Sequence, residues 1–442
     1  MSPTVEQIHD AIRRTREARD RVQHRRTDAI IAGLAQTAKN WLASDSPWRR
    51  RAVEQAPATT GFSSAMVNEA VELTFGTITE VALGELLDGF VCSWERRPRR
   101  DREREAVGHQ STMPPRLIAH FLAGNVPAPG IASICCGLLS KSANLVKVSS
   151  RDPAFPALFV GSLREVDAGL ADCVAVLDWR REEVALTEAA LAEADTVIAY
   201  GDDETIASIR QMVRPVTRFL GYGHKVSFAV IAKEAMTEEN LPRLAQATAF
   251  DASVYDQQGC LSPHAFYVEG GGQLRPRAFA AALAEAMAAY QARVPRGQLS
   301  VEEAAQIAKL RGAYEFRAAS DKSVAVWAGA VASGPPPLKD PLRRDSQPLS
   351  NGKVGQAGWL VIYEEDPMFT PSCLNRVVFV KPIKRLESIP QLVRRFASSL
   401  STVGMAPMNE RTTAFTGELA EIGVSRVCPI GQMQRPALSL AP

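Results

Sequence analysis

The chain has 442 residues, 46% hydrophobic and 23% charged, with a formal net charge of +2. That length supports two or three domains with large cores, and the near-neutral charge makes no case for nucleic acid or an anionic membrane as partner. Seven cysteines (Cys92, Cys135, Cys136, Cys173, Cys260, Cys373 and Cys428) are an odd number with no CxxC spacing, which argues against a disulfide framework or a structural zinc site and fits a reducing cytoplasm.

In chain order, Met1–Asp10 is polar and lacks the apolar core of a signal peptide. Residues 1 to about 50 read as helical, and residues 64–92 as a further helix or pair. The run Glu95–Glu105, ERRPRRDRERE, reads as a solvated loop, with a phosphate-binding patch as the lesser alternative. The longest apolar stretch, Leu117–Leu139, contains Gly124, Asn125, Pro127, Pro129 and Gly130. It therefore predicts a strand, a sharp turn and a helix rather than a membrane span.

From Arg116 onward, short apolar strands alternate with amphipathic helices. Strands are expected at 117–122, 144–148, 173–177, 196–200 and 226–231, with helices near 130–140, 155–167, 184–192 and 203–212. This alternation predicts an α/β fold with a mainly parallel sheet, which binds ligands beyond the carboxyl ends of its strands. A second α/β segment follows, with helices at 237–249, 276–292 and 300–312 and strands at 264–268, 323–327, 358–363 and 376–380. The stretch 333–357, rich in Pro, Gly and Ser, reads as a connector. The expected division is residues 1–235 for N-terminal helices and a dinucleotide-binding domain and 236–405 for a catalytic domain. Residues 406–442 are expected to return to the cofactor domain or to an oligomer interface.

Four segments carry chemistry. Cys260 directly follows Gly259, an arrangement that can present a sulfur with little crowding, although a lone cysteine is more often a small buried residue. Asn125 ends the first strand, where its amide either donates into a site or caps the next helix. Lys147, followed by Ser149 and Ser150, ends another strand and suits a ribose or phosphate, or simply solvent. Gly201 ends a third strand before an acidic helix start that includes Thr205.

Taken in order, these segments resemble the aldehyde dehydrogenase superfamily, with Asn125 placed 22 residues before Lys147, then Gly201, Gly223-His224-Lys225 and Cys260. Within it the chain resembles the long-chain acyl-CoA (fatty acid) reductases of bacterial luminescence operons. FLAGNVPAPG, DTVIAYGDDETI, GYGHKVSFAVI, YDQQGCLSPHAFYVE, TVGMAP and GVSRVCPIGQMQRP carry the likeness across roughly residues 115–436. The resemblance implies a Rossmann-type cofactor domain plus an α/β catalytic domain, with Cys260 as nucleophile. It implies an oxyanion held by the Asn125 amide and the Cys260 backbone N–H. It also implies cofactor contacts from Lys147, Ser149, Ser150, Gly201 and Thr205. Asp366-Pro-Met-Phe369-Thr370-Pro371 looks like a degenerate form of the superfamily's nicotinamide-ribose motif, from which Phe369 alone is carried over.

Two departures are informative. Oxidising members have a glutamate that activates water to hydrolyse the acyl-enzyme, whereas Leu220-Gly221-Tyr222-Gly223 stands here. A longer-lived acyl-Cys260 suits reduction. NAD-preferring members often have a glutamate where Ser150 stands, which points to NADPH because serine can donate to a 2′-phosphate. The expected activity is therefore NADPH-dependent reduction of a fatty acyl thioester to the aldehyde. The substrate is acyl-CoA or an acyl-protein, with an acyl-protein synthetase as a candidate partner and a homo-oligomer as the expected assembly. The alternatives are NAD(P)-dependent aldehyde oxidation and a non-reducing acyl-holding subunit. No metal site is expected. His264 reads as a strand-start structural residue more than as a partner tuning Cys260.

Overall fold

Leu117–Phe121 (β1) is buried at all five positions, as expected of a strand covered on both faces. In the computed structural model, residues 2–86, 114–330 and 357–436 are described. The run Glu95–Glu105, the end of the helical stretch at 64–92 and nearly all of the 333–357 connector lie outside them. The chain divides into two units. One holds the residues up to Thr60 and Val67–Gly223; the other holds Gly61–Met66 and His224–Arg435.

In the first unit, β1, β2 (Ala143–Lys147), β3 (Val174–Leu177), β4 (Thr196–Tyr200) and β5 (Arg218–Tyr222) form a parallel sheet in the order β3-β2-β1-β4-β5. Helices Val5–Val22, Val184–Ala192 and Asp203–Met212 cover one face, with Ile8, Ile12, Leu186, Leu191 and Ile209 packed against Leu117, Ala119, Leu145 and Val197. Trp41 stacks on Phe75 at 4.4 Å and donates through Nε1 to Ser162 Oγ at 2.8 Å. β5 carries no continuous apolar run: its residues are exposed or half-buried throughout, as befits an edge strand.

The second unit holds a seven-stranded sheet in the order β12-β11-β6-β7-β10-β9-β8. The strands are β6 (Val226–Ile231), β7 (Pro263–Glu269), β8 (Val324–Ala330), β9 (Ala357–Glu364), β10 (Val377–Ile383), β11 (Leu400–Ala406) and β12 (Arg426–Pro429). Only β8 runs antiparallel, beside β9. The two-residue strand period sorts side chains into two cores: Phe228, Val230, Tyr267 and Phe379 enter one, while Ala229, Ile231, Phe266 and Val380 enter the other.

The unit division differs from the expected one at two segments. Val226–Ile231 was grouped with the cofactor sheet, but it pairs with β11 and β7, so the boundary falls after Gly223 rather than at 235. Residues 406–435 belong to the second unit, where β12 pairs with β11. Strand partners are chosen across the fold and leave no local signal, so hydropathy alone misassigned both segments. Among the described residues no helix is long and apolar enough to cross a membrane.

Candidate active site

In the first unit the strand order reverses between β1 and β4, which makes the crevice beyond their carboxyl ends the place where such sheets receive a ligand. Phe121 is level with Lys147 on one side and Ala199 on the other. The Asn125 turn, the Lys147–Asp152 segment and the Tyr200–Thr205 turn therefore share one edge. Asn125 sits between β1 and the helix Ala128–Leu139, as expected.

Two of these turns touch. A Cβ on Gly124 would lie 2.6 Å from Arg151 Cβ, 2.7 Å from Ser149 Oγ and 2.9 Å from Asp152 N, so a larger residue would push them apart. Ser149 Oγ accepts from Arg151 N at 3.2 Å. The buried Asp152 carboxylate accepts from Phe155 N at 3.1 Å, and burial raises it to about 6. Ser150 is exposed.

Lys147 is half-buried. Burial pushes its ammonium down, while Asp178 and Glu182, from beyond β3, pull it back up. The helix Ala128–Leu139 has no side-chain cap and no acidic residue in its first turn. The helix Asp203–Met212 differs. Its cap Asp202 takes the Thr205 N–H at 2.7 Å, and Asp203 and Glu204 fill its first turn. The Gly201 N–H is bonded to Tyr222 O at 3.2 Å, and a Cβ there would meet the Thr205 side chain at 3.1 Å. Gly201 and Thr205 thus take part in the local turn, at a helix start that carries negative charge. On the Asn125–Asp152 side of the edge, Lys147 is the cation at the end of β2. A Cβ on Gly223 would stand 2.4 Å from Asp203 Oδ1, so a carboxylate does lie beside the glycine stretch that lacks one.

In the second unit Cys260 is exposed in the turn before β7. The unusual backbone is not at Gly259. It is the run Tyr255, Asp256 and Gln257, with φ of 54°, 51° and 63°. Left-handed backbone costs a non-glycine residue about 1–2 kcal/mol, so surrounding contacts must hold it. A second such run, Leu374, Asn375 and Arg376, has φ of 60°, 57° and 66°.

The two runs are tied together. Asp256 and Arg376, both buried, pair at 2.7 Å, and Arg376 Nε donates to Asp256 Oδ1 at 2.9 Å. Asp256 Oδ2 also accepts from Gly297 N at 2.9 Å. Gln258 Nε2 donates to Asn375 Oδ1 at 3.0 Å. From the other side, Ser227 Oγ donates to the Cys260 carbonyl at 2.8 Å and accepts from Thr402 N at 3.2 Å. The protein packed around the Cys260 sulfur removes part of its hydration and pushes the thiol up, although the residue keeps solvent-exposed surface, while its own backbone N–H and the Lys225 ammonium pull it down.

His264 is buried on β7. Its Nδ1 accepts from Ser372 N at 3.1 Å, which leaves the proton on Nε2. Burial pushes it down to about 4, and His224 adds to the shift. It is a core residue, in line with the structural reading. The Phe369 ring is 0% exposed and packs among Phe228, His264 and Phe396. Ser227, Asp256, Gln257 and Arg376 were missed. A buried acid and base in separate apolar segments were the available signal, but nothing in the sequence pairs them.

Solved aldehyde dehydrogenases share this fold. Aldehyde dehydrogenase 21 from Physcomitrella patens, in complex with succinate, matches with a TM-score of 0.65 at 11% identity, over 99% of this chain and 83% of that one. Glyceraldehyde-3-phosphate dehydrogenase GapN from Methanocaldococcus jannaschii, complexed with NADP, matches with a TM-score of 0.64 at 12% identity, over 98% and 87%. The chain thus has an aldehyde dehydrogenase-like α/β fold. Its sequence matches the model of the family "Acyl-CoA reductase (LuxC)" over residues 22–332 and 348–438, and the chain belongs to that family. It is also 24% identical to a long-chain acyl-protein thioester reductase of Aliivibrio fischeri over 434 residues, which are 95% of this chain and 80% of that one.

Proposed function

We infer that the chain reduces a long-chain acyl thioester to the aldehyde through an acyl group held on Cys260. The observation that carries this reading is an exposed cysteine in a turn braced from both sides, in a member of an acyl-CoA reductase family. The Cys260 sulfur attacks the thioester carbonyl carbon, the carbon–sulfur bond to the donor breaks, and the donor leaves as a thiol after taking up a proton. The Cys260 backbone N–H is the donor to the oxyanion. When bound, reduced nicotinamide would supply a hydride to the acyl carbon; the carbon–sulfur bond to Cys260 then breaks, releasing the aldehyde, and a proton from solvent returns Cys260 to the thiol.

Lys147, Ser149 and Ser150 are the residues proposed to hold the cofactor. Lys147 and Ser150 favour the 2′-phosphate of NADPH, whereas Asp178 and Glu182 act in the opposite sense. The ratio of kcat/KM for NADPH and NADH decides between them. A cytoplasmic homo-oligomer served by an acyl-protein synthetase belongs to the same reading, and light scattering and pull-down of the synthetase test those parts.

Peptide mass spectrometry after exposure to acyl-CoA, with and without NADPH, tests the core reading. The expected result is an acyl label on Cys260 that NADPH discharges with formation of aldehyde. A label that NADPH leaves in place supports an acyl-holding subunit, and NAD(P)+ reduction driven by aldehyde without a thioester supports an oxidiser.

A further inference from the structure

Between Cys260 and the rest of the second unit stands Gln257, which is 0% exposed. Its side chain does the work of a piece of strand. Nε2 donates to Val377 O and to Pro263 O, each at 2.8 Å, and lies 3.3 Å from Ser372 Oγ, while Oε1 accepts from Val377 N at 2.8 Å. Val377 opens β10 and Pro263 opens β7. One amide therefore satisfies both backbone groups of one strand start and the carbonyl of its neighbour, three residues before the cysteine. Left-handed backbone at Gln257 itself aims the amide at them.

We propose that Gln257 is a positioning residue for Cys260: its amide pins the starts of β7 and β10 and so sets the direction in which the intervening turn presents the sulfur. A glutamate of the same shape keeps the acceptor but loses both donors, and an asparagine keeps the chemistry on an arm one carbon too short to span the strands. The proposal rests on Cys260 being the nucleophile, and the orientation of its thiol can be read without turnover.

Gln257→Glu and Gln257→Asn are compared with wild type in three measurements: thermal unfolding, the pH profile of Cys260 alkylation by iodoacetamide followed on its peptide, and kcat and KM with acyl-CoA and NADPH. In folded variants, kcat is expected to fall roughly 100-fold, the loss typical of a misplaced reacting group, with both KM values within about twofold. The Cys260 alkylation profile is expected to move to higher pH, because the thiolate loses its aligned backbone N–H. A folded variant with wild-type kcat and alkylation profile overturns the proposal, even if its melting temperature falls. If neither variant folds, Gln257 is a stability residue and the proposal is equally overturned. Wild-type Cys260 that alkylates but takes no acyl label refutes the nucleophile reading, while the alkylation profiles still report whether Gln257 orients the thiol.

Discussion

The two candidate edges are built in opposite ways. In the first unit, parallel strands end level with one another, and their turns gather because the strand order reverses there. Topology alone makes that edge, and the backbone strains little. In the second unit, Cys260 follows three left-handed residues, and a buried ion pair and a buried amide hold that conformation. Ligand-binding edges can thus come free with a fold, whereas a turn that aims one sulfur needs side chains committed to holding it.

The comparison can be broken most sharply at the sulfur. Cys260→Ala is expected to lose acyl labelling and to lower NADPH-dependent aldehyde formation by about 10⁴-fold or more, as removal of a covalent nucleophile does. An unchanged rate would sink the assignment. Next comes the brace. Arg376→Met removes the ion-pair partner of the buried Asp256 carboxylate and leaves Arg296 as the cation still acting on it, which is expected to cost about 3 kcal/mol in urea unfolding. A loss below about 1 kcal/mol would show that the run holds itself.

Two buried histidines, one per unit, give a pH test. His120 lies between Ser133 Oγ at 2.8 Å and Asn144 Oδ1 at 3.0 Å, and burial lowers both His120 and His264 to about 4. The unfolded chain takes up these protons near pH 6.5, but the folded chain only near 4. Their contribution is therefore full above pH 6.5 and is lost as pH falls through that window, on the order of 3 kcal/mol each. Asp152 and Asp251, raised by burial to about 6 and 7, act in the opposite sense over an overlapping window. The informative quantity is thus the difference in stability between wild type and His264→Gln, which should shrink from pH 7 to pH 4. A constant difference would show that His264 titrates normally.

Smaller effects are expected at the strand-end edge. Lys147→Ala should raise KM for NADPH about tenfold, the value of one charge-assisted contact, while acyl labelling of Cys260 stays near wild type. Loss of labelling instead would make Lys147 structural. Ser150→Glu should lower the NADPH preference by less than Lys147→Ala raises KM, as expected of an exposed side chain.

The alternation of apolar strands and amphipathic helices, and the order of Asn125, Lys147 and Cys260, could be read from the chain because hydrophobic period and motif spacing are local properties. The α/β class and most strands follow from them. The boundary after Gly223, the edge strand β5 and the burial of Phe369 could not be read, because strand pairing and ring packing are chosen among distant segments. The same holds for the brace behind Cys260. Gln257 lies 120 residues from Val377, and Asp256 lies 120 from Arg376. Such partners meet only when β7 and β10 lie side by side, so the candidate cysteine was visible in the sequence but the apparatus that holds its turn was not.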